Sequence, residues 1–135
     1  MRILAIDYGK KRTGLAWTDP LQIIATGLGT VDTAEIEAKL KALFLQEKIE
    51  KIVLGFPTHA DGSDTHSTPL IRAFHKQLNE WFADTPVVLQ DEYGTSKTAM
   101  QTMIAAGVKK KDRRNKALLD QVSATIILQQ YLGVI

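Results

Sequence analysis

The sequence predicts an α/β domain in which a five-stranded mixed sheet carries helices on both faces. Three observations predict it. The first third holds three short strand-like stretches in succession, parted by turn residues. After them, strand-like runs alternate with stretches of helical period. Several of those runs are apolar nearly throughout, the pattern of strands covered on both faces rather than on one.

Taken in order, residues 2–7 (RILAID) form the first strand, with four apolar residues in a row and Asp7 ending it. DYGKK at 7–11 is a turn. Residues 13–18 (TGLAWT) return antiparallel until Asp19-Pro20 breaks them. Residues 23–31 make a third strand, weakened by Gly27 and Gly29. Asp32 with Glu35 three positions on has the form of a capping box, with Asp in place of Ser or Thr. Ile36, Leu40, Leu43 and Phe44 then recur at helical spacing, so a helix is expected to about Lys48. KIVLGF at 51–56 is a buried strand stopped by Pro57. Residues 58–68 are polar, with a turn at Asp61-Gly62. Thr68-Pro69 supplies an N-cap and a first-turn proline for a helix carrying Ile71, Phe74, Leu78, Trp81 and Phe82. Pro86 opens a fifth strand, 87–90, which Asp91-Glu92 ends. A helix over 95–106 closes at Gly107, and a long last helix runs over 115–132 after a basic stretch.

The resulting order, β-β-β-α-β-α-β-α-α with right-handed crossovers, is the topology of the RNase H-like fold. Topology does not settle function, because one fold hosts many chemistries. At 135 residues, 44% hydrophobic and 24% charged, the chain suits a single globular domain over 1–135. It has no cysteine, which excludes a disulfide framework and a thiolate metal site. The apolar run after Met1-Arg2 is too short for a signal peptide, and no stretch approaches the ~20 residues of a membrane span. A cytoplasmic protein without a membrane partner is expected.

The net charge of +2 says little, but its distribution says more. Lys109, Lys110, Lys111, Arg113, Arg114 and Lys116 stand against the single acid Asp112, and Lys10, Lys11 and Arg12 form a second cluster. Such patches recruit phosphate backbones even on a nearly neutral chain. His59, His66 and His75 lack the spacing of zinc ligands.

Three acids stand where structural duty explains them poorly. Asp7 ends one apolar strand, Glu92 ends another, and Asp120 shares a helical stripe with Ala124, Ile127 and Tyr131. Each alone has an ordinary explanation in turn chemistry or solvent exposure. Together they fit one sheet edge, where close carboxylates repel unless a divalent cation sits among them. Mg²⁺ or Mn²⁺ there would serve two-metal hydrolysis of a phosphodiester. In Asp7-x-Gly9-x-x-Arg12-x-Gly14, Gly9 permits a turn and Gly14 lets the backbone pass close to a neighbour or a phosphate. Arg12 would present its fork to a phosphate. A similar Asp-x-Gly turn binds ATP phosphates in the actin and sugar-kinase superfamily, but that clamp needs two such domains.

DYGKKRTG at 7–14, IVLGFP at 52–57 followed by DGS at 61–63, DE at 91–92 and DQVSATIILQQYL at 120–132 stand in order along nearly the whole chain. In these motifs the sequence resembles the YqgF (RuvX) family of bacterial RNase H-like proteins. The resemblance implies a nuclease in maturation of the 5′ end of 16S ribosomal RNA, or a Holliday junction resolvase. Its acidic residues fall on Asp7, Glu92 and Asp120. One position departs: Tyr93 stands where the family usually carries arginine, with Lys97 nearby. The expected partner is therefore nucleic acid, precursor ribosomal RNA or branched DNA, met by a monomer or weak homodimer. A non-catalytic RNA-binding assembly factor is the contrasting class. Asp91 is the fallback acid, because adjacent strand residues face opposite sides.

Overall fold

An apolar run has no polar face to turn to water, so it belongs in the middle of a covered sheet. β1 (Arg2–Asp7) lies there, with Ile3, Leu4, Ala5 and Ile6 all buried. The computed structural model of the chain describes residues 1–57, 66–91 and 116–133. Among them one sheet forms in the order β3-β2-β1-β4-β5. β2 (Arg12–Thr18) pairs antiparallel with β1, and β3 (Ala25–Asp32) pairs antiparallel with β2. β4 (Ile49–Phe56) and β5 (Val87–Asp91) run parallel to β1 on its other side.

Alternation along β1 sorts its residues between two cores. Leu4 and Ile6 join Leu15, Ile52 and Leu54 beneath helices α1 (Ile36–Gln46) and α2 (Thr68–Trp81), which contribute Leu40, Leu43, Ile71, Phe74 and Leu78. Ile3 and Ala5 join Ala16 and Val53 on the opposite face. That face meets helix α3 (Lys116–Leu132) through Ala124, Ile127 and Leu128. Helices on both faces of a five-stranded mixed sheet are what the sequence predicts. Lys51 at the start of β4 donates to the Tyr131 hydroxyl at 2.8 Å, tying down the end of α3. That bond also holds the Lys51 ammonium above its ordinary pKa.

Several boundaries differ from the sequence reading for local reasons. Asp32 makes no capping bond, because the β2–β3 ladder runs through it as the partner of Arg12. A 3₁₀ turn over Thr33–Glu35 therefore intervenes and α1 starts at Ile36, ending at Gln46 rather than Lys48. Ile23 and Ile24 belong to the turn before β3, where both are exposed. Their amides donate to Asp19 Oδ1 at 2.8 and 2.7 Å, and the Leu21 amide donates to Oδ2 at 3.1 Å. Thr68 is the first helical residue of α2 and Ser67 its N-cap. The buried Thr68 hydroxyl is instead spent on the Pro57 carbonyl, at 2.8 Å, fastening the helix start to the end of β4. The helix expected over 95–106 lies outside the described residues.

Candidate functional site

Asp7 follows Ile3 and Ala5 on the same side of β1, so alternation gives it the face on which α3 rests. Its cross-strand partner is Gly14. Directly opposite residues of an antiparallel pair share a face, and Gly14 shares this one with Ala16. A Cβ added at Gly14 would overlap the carbonyl of Asp120. Strand and helix therefore touch backbone to backbone at that point. The close neighbour foreseen for Gly14 is the last helix. Asp7 and Asp120 thus flank one glycine on one face, at the end of the sheet where β1 and β4 finish.

Asp120 is half-buried, and Arg12 reaches it from the start of β2 with Nε 3.4 Å from Oδ2. The side chains remain 36% and 28% exposed, and the bond is single rather than a two-pronged fork. A pair of this kind contributes only about 0.2–1 kcal/mol. Among the described residues Arg12 is thus a counter-ion to Asp120, a partnership the sequence reading missed. The two residues lie 108 positions apart, and no local signal joins them.

The turn between Asp7 and Arg12 is fastened from outside the motif. Thr33 Oγ1 donates to the Gly9 carbonyl at 2.6 Å and lies 2.9 Å from Thr13 Oγ1. The Thr33 amide donates to the Lys11 carbonyl at 3.0 Å. A Cβ at Gly9 would overlap the Arg12 carbonyl, so the turn closes only with glycine there. On the other side the Tyr8 ring stacks on Phe74 at 3.8 Å, and burial pushes the Tyr8 phenol pKa up, keeping it neutral. Lys10 and Lys11 are both exposed on this braced turn, where cations meet a ligand without first leaving water.

Asp91 ends β5 in register with Phe56, on the face that Phe56 and Val87 turn toward α1 and α2. It is therefore on the opposite face from Asp7. Glu92, Tyr93, Lys97, Lys109, Lys110, Lys111, Arg113 and Arg114 lie outside the described residues, as does the side chain of Lys116. Among the described residues no three acidic or histidine side chains gather as a metal site. The two acids that share a face do fit a hard cation by donor chemistry, since both offer carboxylate oxygens. The guanidinium against Asp120 shows that this corner draws positive charge.

Residues 1–133 match the profile of the RuvX family, described as Holliday junction resolvase. A protein of Flavobacterium psychrophilum named as a candidate pre-16S rRNA nuclease is 50% identical over 131 residues, 97% of this chain and 96% of its own length. A Bacteroides fragilis protein of the same name is 48% identical, covering 97% and 95%. Among solved structures, Thermus thermophilus RuvC in complex with a Holliday junction substrate superposes with a TM-score of 0.56 at 16% identity. The match covers 98% of this chain and 97% of that one, and RuvC has the RNase H-like fold. At that identity the likeness establishes the fold alone.

Proposed function

This chain belongs to the RuvX family, and from that premise we propose that it is a metal-dependent nuclease that trims the 5′ end of precursor 16S ribosomal RNA. The observation that carries the reading is the contact at Gly14, which sets Asp7 and Asp120 on one face of the sheet end. We assign the metal to Asp7 and Asp120 with Glu92 as third ligand, and the ion to Mg²⁺ or Mn²⁺. Bound there, a divalent cation would activate the attacking water and stabilise the leaving oxygen. The placement of Asp91 on the other face supports the choice of Glu92, its neighbour.

The chain's own groups supply the rest. Lys10 and Lys11 on the braced turn, Arg12 beside them, and Lys109, Lys110, Lys111, Arg113, Arg114 and Lys116 would follow the phosphate backbone. RNA is favoured as substrate because relatives near 50% identity bear the pre-16S rRNA nuclease name. We place the activity in the cytoplasm, in a monomer or weak homodimer.

The family description favours one second reading, resolution of Holliday junctions, which would require a symmetric pair of sites to cut two strands. Incubating the purified protein with and without Mg²⁺ on precursor 16S RNA and on four-way DNA junctions separates the two. Metal-dependent shortening of the RNA with intact junctions is the expected result. Paired nicks in the junction alone would move the assignment to DNA. Binding of RNA without cleavage under either condition would leave an assembly factor.

A further inference from the structure

We propose that Arg12 is a latch answering to the metal: Asp120 holds it in the metal-free chain and releases it to substrate phosphate once that carboxylate turns to a divalent cation. The inference rests on the metal-dependent reading above and adds a role to a residue otherwise assigned to simple backbone binding.

Four features carry it. Asp120 is a proposed metal ligand that already holds a cation of the chain itself, at 3.4 Å. A guanidinium on Oδ2 and a small dication on the same carboxylate repel each other at that range, so binding the metal weakens the bridge. The bridge is built to yield, with one Nε contact at the long end of hydrogen bonding and both side chains partly exposed to water. Among the described residues no other side chain engages the Arg12 guanidinium, so on release it would present its whole fork to a phosphate. The backbone beneath it does not need to move. The β2–β3 ladder fixes Arg12 opposite Asp32, and the Gly14 contact fixes the Asp120 main chain. Only the side chain swings, so metal loading and phosphate binding become coupled through a single rotor.

The coupling also gives order to binding. Without metal the site neutralises its own strongest phosphate clamp, and RNA is held by Lys10, Lys11 and the later basic run. With metal, the clamp is added at the scissile position. Nucleic acid therefore registers fully only on a loaded site.

Two measurements on the full chain test this. The first follows the Arg12 side-chain Nε–H resonance, assigned by its loss in Arg12→Lys, as Mg²⁺ is added. It should shift with the same midpoint as the backbone amides of Asp7 and Gly14. Backbone amides that titrate while the Arg12 resonance stays put would overturn the latch and leave the metal site standing. If nothing titrates, the metal reading falls and the latch falls with it. The second is a double-mutant cycle in chelator, scored by affinity for a labelled RNA hairpin. Asp120→Asn should tighten binding about fivefold in the parent, within the range of ordinary site coupling. In an Arg12→Gln background the same change should do less than half of that. Equal tightening in both backgrounds would mean simple removal of a negative charge, and the latch would be wrong.

Discussion

Gly14 lies so close beneath Asp120 that the strand and the last helix meet with no room for a methyl group. The glycine is a spacer of zero thickness, and the separation of the two proposed metal ligands depends on it.

Gly14→Ala should accordingly cost more than a surface glycine would. The added carbon meets main chain on a packed helix, which cannot rotate aside, so a loss of about 1–3 kcal/mol is expected. Urea denaturation measures it. The same variant should show a smaller rise in Tm with Mn²⁺ than the parent, because α3 is lifted away from Asp7. An unchanged stability would mean that α3 docks elsewhere.

Asp7→Asn should keep the fold and lose the metal. In the parent, Mn²⁺ at a hundredfold over its Kd would add about 2.7 kcal/mol, a Tm rise on the order of 10 °C for a chain this size. The variant should show little of that rise and no cleavage. Without metal it should be at least as stable as the parent, since one of two neighbouring negative charges is gone. Cleavage at the parental rate by Asp7→Asn would end the two-metal assignment.

Asp91, which ends β5, and its sequence neighbour Glu92 should behave differently. Asp91 faces α1 and α2 with Phe56, so Asp91→Asn should cleave nearly as the parent does. Glu92→Gln should lose at least the roughly 10–100-fold that even an outer partner of a metal costs. The reverse ranking, read from single-turnover rates, would exchange the two roles.

Neutralising Lys109, Lys110, Lys111, Arg113 and Arg114 together should weaken RNA binding and flatten its salt dependence. Every cation that no longer neutralises a phosphate lowers the log–log slope by roughly 0.7–0.9. A slope unchanged from the parent would leave that stretch as a solvated loop.

The turn after β2 should loosen in acid. Amides of Ile24, Ile23 and Leu21 donate to the Asp19 carboxylate and hold its pKa below the usual 3.8. A depressed folded pKa means stability present above the unfolded value and lost as pH falls through the folded one. Hydrogen-exchange protection at those three amides should therefore hold down to about pH 4 and fall below it. Asp19→Asn should lower that protection at neutral pH and remove the pH step.

Much of this architecture is legible in the sequence where a residue's duty is local or periodic. Four apolar residues before Asp7 read as a strand buried on both faces, which is the middle of the sheet, and the apolar stripe of Ala124 and Ile127 beyond Asp120 proves to be the face of α3 that lies on the sheet. Reading failed where two local duties compete. Asp32 has the spacing of a cap but is claimed by the ladder with Arg12, and Thr68 has the chemistry of a cap but reaches back to Pro57. Ile23 and Ile24 read as strand by type, while the Asp19 carboxylate curls them into a turn. At the site, the acids stood out because strand ends and apolar stripes make them conspicuous. Arg12 with Asp120 and Thr33 with Gly9 did not, since a contact across the fold leaves no spacing to read.

The meeting of Gly14 with Asp120 has a consequence in time as well as in space. Asp7 is among the earliest residues made and Asp120 among the later ones, and neither element brings the other with it. A copy truncated before α3, or still being translated, holds Asp7 and Glu92 without Asp120. Its lysines would still meet RNA phosphates, but the proposed metal site would lack its ligand from α3. If Asp120 is a metal ligand as proposed, a half-made or clipped molecule would spare the transcripts around it, and competence would arrive only with the docking of the last helix.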